Sequence, residues 1–361
     1  MLSIRDLLLR FADDEHRFGK IWRLSDLHLK VGEPASYRRD DELEALDQGA
    51  PLTPAIVERL LYPLLTRAQI ESLTAEPPRD VDAGFEMTEE GLNFRINAFH
   101  DRQGLACAIR VLPTTVPEPE DIGFPTTNTW KEIVELRQGL VLVTGITGSG
   151  KSTTVASLLQ NINHTCGRRI ITLEDPIEYA IQSARSLVSQ REVGNHVTSF
   201  HDGLRSALRE DPDVLFVGEM RDRETSALAL SAAETGHLVL STLHTKDARG
   251  AVTRIVDLFP SDRGKEIASQ ISFSLTFVLA QKLVPRSDGH GRRVAMEVLK
   301  NIPPIANHIR TGKWHQIYST MEAHRRAGVM TLERHLTQLA RNGEISLEVA
   351  RRFANEPALV G

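Results

Sequence analysis

Apolar and polar positions change their rhythm twice along the chain. Leu27-His-Leu-Lys-Val31 alternates apolar with polar, the period of a half-buried strand, whereas residues 54–73 carry their apolar side chains at helical spacing. Residues 93–99 and 104–112 alternate again, separated by His100-Asp-Arg-Gln103, which predicts two antiparallel strands of a small α+β domain. Pro113, Pro117, Pro119 and Pro125 then crowd one stretch with Glu118, Glu120 and Asp121. Proline fixes φ and withholds a donor, so 113–125 is expected to be an extended linker outside any core. From Thr126 onward, nearly all-apolar segments at 140–143, 170–173, 214–217 and 238–240 are separated by helical ones. Strands apolar on both faces with helical crossovers imply a buried parallel sheet. The tail from about Pro303 to Leu359 reads as helices. The expected organisation is an N-terminal α+β domain (1–112), a proline-rich linker (113–125) and an α/β domain with a C-terminal helical region (126–361).

Composition narrows the class. At 361 residues, 41% hydrophobic and 25% charged, the chain has an ordinary globular balance and room for two or three domains. Cys107 and Cys166 form no CxxC pair, which argues against a zinc clip or a disulfide framework and fits a reduced, cytosolic protein. The opening MLSIRDLLLRFADDEHRF is apolar but broken by Arg5, Asp6 and Arg10, the pattern of an amphipathic helix rather than a signal peptide. The apolar run 271–284 is too short and too polar to span a bilayer, which takes about 20 residues. A membrane role would therefore go through a partner. The net charge of −5 argues against a nucleic-acid backbone as the main ligand.

The densest chemistry lies in GITGSGKS, residues 145–152, between an apolar strand and the opening of a helix. Gly-x-x-x-x-Gly-Lys-Ser in that context is the phosphate-binding pattern. Its glycines let backbone N–H groups curl around phosphate oxygens, Lys151 offers a point charge to the β- and γ-phosphates, and Ser152 can ligate Mg²⁺. Gly145, Thr147, Gly148, Ser149, Gly150, Lys151, Ser152 and Thr153 are thus the candidate nucleotide cradle. The strand Val214-Leu-Phe-Val217 leads through Gly218 to Glu219, where a carboxylate would stand beside the Mg²⁺. The strand at 170–173 ends in Glu174-Asp-Pro-Ile-Glu178, at the carboxyl edge where open α/β sheets bind ligands. A carboxylate there could orient the attacking water, although the local residues read equally well as a solvated acidic turn. His237 and His244 flank a six-residue apolar segment, roughly 20 Å apart if it is a strand, too far to share a metal. Either could sense a γ-phosphate.

TGITGSGKSTT, ITLEDPIEY, LREDPDVLFVGEMRDRET and ETGHLVLSTLHT, in this order, resemble the Walker A, Asp box, Walker B and His box of the type II/IV secretion ATPase superfamily. The run SQREVG…SFHDGLRSALREDPD is most similar to its type IV pilus retraction branch. SDLHLKVG and NFRINAF…AIRVLP resemble the N-terminal domain of that family, and HIRTGKWHQIYS its C-terminal helices. The resemblance implies a RecA-like P-loop ATPase domain with a smaller PAS-like α+β domain, and ATP and Mg²⁺ as cofactors. It implies Lys151 and Ser152 on phosphate and metal, Glu174 as the base that activates water, Glu219 as the Walker B carboxylate at the Mg²⁺, and His237 and His244 as the His box. Arg95 and Arg110 match arginines that reach the nucleotide when the N-terminal domain closes.

The resemblance further implies a homohexamer at the cytoplasmic face of the inner membrane, driving pilus retraction and twitching motility through the pilus platform protein. A paralogous retraction ATPase is a further candidate partner, and no nucleic acid is expected. One segment departs from the pattern: retraction ATPases commonly carry Ala-Ile-Arg-Asn-Leu-Ile-Arg-Glu where this chain has Pro304-Ile-Ala-Asn-His-Ile-Arg-Thr311. That segment is tied to the direction of the motor rather than to hydrolysis. Pilus extension and secretion ATPases of the same superfamily are the nearest alternatives, and they commonly add an N-terminal domain and a four-cysteine metal site that this sequence lacks. A RecA-like nucleic-acid translocase would need a basic, aromatic-interleaved run, which is also missing.

Overall fold

Alternating side chains build the first of two units. The computed structural model describes residues 3–361 apart from 13–16, 19, 20, 23, 40, 41, 47, 48, 113, 114 and 290, and the chain divides into Met1–Thr115 and Val116–Gly361. In the first unit, β1 (Leu24–Lys30), β2 (Ser36–Arg39), β3 (Glu42–Ala45), β4 (Val81–Met87), β5 (Leu92–Asp101) and β6 (Gly104–Leu112) form one sheet in the order β3-β2-β1-β6-β5-β4, antiparallel throughout. Leu27, Leu29, Phe94, Ile96 and Ile109 point into one core with Val57, Leu60 and Leu61 of the helix Pro54–Leu61. Leu7, Leu8 and Phe11 of the N-terminal segment are buried in the same core. Its helix spans Ile4–Leu9, capped where Ser3 Oγ accepts from the Asp6 N–H, while residues 1, 2 and 13–16 of the expected amphipathic stretch lie outside the described residues.

The proline-rich stretch is not wholly extended. Pro119–Ile122 forms a helical turn ending at Gly123, and Ile122 is buried with Trp130, Ile133 and Val155 in the core of the second unit. Pro119 stands at the first helical position, where a missing N–H costs nothing, so the expectation of a linker outside any core fails from Pro119 onward. Pro113 lies outside the described residues.

The second unit holds a seven-stranded sheet made of β7 (Gly139–Thr144), β8 (Arg169–Glu174), β9 (Leu187–Glu192), β10 (Val214–Val217), β11 (Leu238–Leu243), β12 (Leu275–Pro285) and β13 (Arg292–Lys300), in the order β9-β8-β10-β11-β7-β12-β13. All pairings are parallel except β12 with β13. The continuous apolar runs follow from burial on both faces. Leu140, Leu142, Ile171, Leu173, Leu215 and Val217 pack into one cluster, whereas Val141, Val143, Ile170, Val214, Phe216 and Leu240 pack into another. Each such side chain contributes about 1.5–3 kcal/mol on burial. The run 271–284 divides between the end of the helix Gly264–Ser274 and β12, of which it covers all but Pro285 and which lies beside the phosphate-loop strand. The predicted C-terminal helices form at Pro303–Arg310, Ile317–Ala323, Leu332–Arg341 and Leu347–Phe353. No helix among the described residues is long and apolar enough to cross a membrane.

Candidate active site

The parallel strands end at a common edge, and the phosphate loop rises from it between β7 and the helix α1 (Lys151–Thr165). Gly145 must be glycine: φ is +152°, and a Cβ would run into the Ser149 side chain and the carbonyl of Gln281. Gly150 takes the left-handed conformation that opens α1, at φ 87°, and no side chain caps that helix. Its first-turn N–H groups are therefore left for an anion. Lys151 is 9% exposed, and its Nζ donates to the carbonyl oxygens of Gly145 (3.0 Å) and Ile146 (3.2 Å). Burial lowers its pKa, against the raising effect of the Glu219 and Glu178 carboxylates. An ammonium held only by loop carbonyls, at an uncapped helix terminus, fits the phosphates of a nucleotide.

Glu174 closes β8 and is 9% exposed. Burial pushes its carboxyl up to about 6, while hydrogen bonds from Thr172 and Gln190 pull down; the Glu178 carboxylate pushes up and its backbone N–H pulls down. That value suits a base working near neutrality. Glu219 stands two residues beyond β10; its Oε2 accepts from Arg221 Nε at 2.7 Å, and His244 Nε2 lies 3.7 Å from its Oε1. The carboxylate thus stands between a guanidinium and an imidazole at the edge where a metal would bind. The strand ends are pinned by short bonds: Thr242 Oγ1 donates to Gly218 O at 2.6 Å, and the Thr245 N–H donates to Thr144 Oγ1 at 3.0 Å.

The structure separates the two histidines. His244 follows the last residue of β11, at the phosphate edge, but His237 precedes the first. His237 Nδ1 bonds the Ala232 carbonyl at 3.0 Å, and its own carbonyl accepts from the Gly139 N–H at the start of β7. It caps the end of the helix Arg223–Glu234 on the far side of the sheet. The expectation that His237 joins His244 at the nucleotide is thereby corrected, because a strand of six residues carries its flanks to opposite edges.

Arg95 and Arg110, in the first unit, are register partners on β5 and β6. Arg110 Nε donates to Oδ1 of buried Asp26 at 2.7 Å, and Arg95 Nη2 lies 3.8 Å from Asp82 Oδ1. Their side chains remain 65% and 45% exposed, so both guanidinium groups are available on the open face of that sheet.

Two glutamines were missed by sequence reasoning. Gln281, on β12, donates to the Ser149 carbonyl and accepts from Thr154 Oγ1 (3.0 Å), bracing the loop from below. Gln190, on β9, donates from Nε2 to Glu174 Oε1 (3.0 Å) and to the Tyr179 carbonyl (2.9 Å), and its Oε1 accepts from the Ile181 N–H (2.7 Å). Tyr179 in turn shares a hydrogen bond with Thr153 of α1. An uncharged polar residue inside a strand offers no local signal; only pairing shows its target.

Comparison with known proteins agrees with this architecture. The family model described as type II/IV secretion system protein matches residues 23–356. A twitching motility protein of Neisseria gonorrhoeae is 47% identical over 76% of this chain and 73% of its own length. The type IV pilus retraction ATPase PilT of Pseudomonas aeruginosa is 41% identical over 92% of this chain and 95% of its own. Among solved structures, the pilus retraction motor PilT with bound ADP superposes with a TM-score of 0.87 at 40% identity, covering 99% of this chain and 98% of that one. Loop, buried carboxylate and sequence kinship converge: the chain belongs to the type II/IV secretion ATPase family, as a nucleotide-binding ATPase of the PilT retraction type.

Proposed function

We propose that this ATPase works as a subunit of a homohexameric ring at the cytoplasmic face of the inner membrane, turning the pilus platform protein so that the pilus is withdrawn. The observation that carries the catalytic reading is the placement of buried Glu174 and of Glu219 on the same sheet edge as Lys151. Lys151 holds the β- and γ-phosphates. Ser152 and Glu219 are the residues that would hold Mg²⁺, which when bound neutralises charge on the transferred phosphoryl group. Glu174 orients the attacking water and takes its proton, and His244 reports the state of the γ-phosphate to Glu219. Arg95 and Arg110 supply positive charge to the transition state.

The C-terminal segment supports retraction despite its departures. Ile305 and Ile309, the two isoleucines shared with the retraction pattern, are buried. Asn307 and Arg310, also shared, are exposed. The differences at Pro304, Ala306, His308 and Thr311 leave that helix and its packing intact, Pro304 falling in the first turn, where a missing N–H is tolerated.

Glu174→Gln tests the catalytic reading: nucleotide binding is expected to persist while phosphate release falls by about 10²–10⁴-fold, the range for general acid–base catalysis. A deletion strain tests the biology. Hyperpiliated, non-twitching cells are expected; bald cells would mean assembly instead.

A further inference from the structure

We propose that Gln190 is a positioning residue for hydrolysis, holding the Glu174 carboxylate in the one orientation from which it can take a proton from water; this rests on the reading of Glu174 as the base. Thr172 and Gln190 are register partners on the parallel strands β8 and β9, so they stand side by side on one face with Glu174 two residues on. Thr172 Oγ1 (2.6 Å) and Gln190 Nε2 (3.0 Å) both donate to Oε1 of Glu174, so neither occupies Oε2. The amide of Gln190 can sit only one way round. Its oxygen meets the N–H of Ile181, and its nitrogen meets two acceptors, the Tyr179 carbonyl and the carboxylate.

Gln190 is also the junction between base and phosphate loop. It binds the backbone of Tyr179, whose hydroxyl meets Thr153 Oγ1 at 2.9 Å on the first turn of α1. A shift of that turn on nucleotide binding would reach Glu174 through this chain of hydrogen bonds. Around the carboxylate stand Glu178 and Tyr179 on the turn that follows β8, Glu192 as its register partner on β9, and Glu219 beyond β10. Burial and the Glu178 carboxylate raise the pKa, whereas the Thr172 hydroxyl, the Gln190 amide and, less, the Glu178 backbone N–H stabilise the ionised form. Withdrawing a donor must therefore move the ionisation of Glu174 upward.

The test is the pH profile of kcat for ATP hydrolysis by the full chain, measured for wild type, Gln190→Met, Gln190→Glu and Glu174→Gln. In Q190M the acidic limb is expected to move up by about one pH unit, with turnover several-fold low at pH 7 and still below wild type above pH 8, where the carboxylate is ionised but no longer held, and KM for ATP little changed. Q190E keeps the side-chain length and sets a second carboxylate against Glu174, so its limb should move further. It also carries the test if Q190M loses its fold by circular dichroism. A limb that stays at the wild-type position in whichever variant folds, or a loss equal at every pH, overturns the proposal. Wild-type turnover in Glu174→Gln would instead overturn the base assignment, whatever Gln190 does.

Discussion

Gln281 Nε2 donates to the carbonyl oxygen of Ser149 across 2.7 Å, joining residues 132 positions apart. The same amide accepts from Thr154 Oγ1, so one side chain fixes both the loop and the first turn of α1. Gln281→Leu should leave the Ser149 carbonyl and the Thr154 hydroxyl unpaired, a cost of about 1–3 kcal/mol for each buried group. KM for ATP should rise roughly tenfold, that penalty expressed as binding, and thermal unfolding should come earlier. Steady-state kinetics and calorimetry on the same preparation would show it; unchanged KM would mean the loop holds its shape unaided.

Lys151→Ala should abolish productive nucleotide binding, because it withdraws the buried charge that faces the phosphates. The loss in kcat/KM should be at least about 10²-fold, as for removal of one preorganised electrostatic contact. Lys151→Arg should not rescue it: a planar guanidinium does not reproduce the compact ammonium that sits between the Gly145 and Ile146 carbonyls. Binding of a fluorescent ATP analogue distinguishes loss of affinity from loss of chemistry.

Arg95 and Arg110 face each other across neighbouring strands, and like charges so placed repel. Asp26 and Asp82 offset this. Arg95→Ala and Arg110→Ala should each leave stability near wild type, since repulsion is relieved as ion pairs are lost. If they serve catalysis, each should lower ATP turnover, with the double variant far from additive. Wild-type turnover in both would make them surface residues only.

His335 is 3% exposed, and its Nδ1 accepts from the Met296 N–H at 2.9 Å. Burial lowers its pKa to about 4, so the folded protein keeps it neutral where the unfolded chain would charge it. The stability it contributes is complete above pH 6.5 and is lost as pH falls towards 4, by about 3 kcal/mol. Glu297, buried and pushed up to about 7, acts in the opposite sense as it takes its proton. The comparison is therefore between wild type and His335→Gln, which keeps an acceptor but cannot ionise. Denaturant unfolding from pH 7 to pH 4 should cost the wild type more than the variant, and parallel losses would refute the assignment.

The phosphate loop was legible in the chain because every constraint on it is local. Glycines at 145 and 150 supply backbone angles that other residues resist, Lys151 and Ser152 follow at once, and an apolar strand and a helix bracket them. The inner strands β7, β8, β10 and β11 were legible for a related reason: burial on both faces leaves an uninterrupted apolar run. The half-exposed edge strand β9 has no such run, and β12 was hidden in an apolar segment it shares with a helix. Ile122 entered a core that its proline-rich setting argued against. Tertiary structure alone decided which histidine reached the nucleotide edge, since direction along a strand, and not residue type, sends His244 to one end and His237 to the other. It likewise decided that Gln281 braces the loop and Gln190 holds Glu174, because a glutamine's partner is set by which strands pair, and pairing is fixed by the packing of the whole sheet.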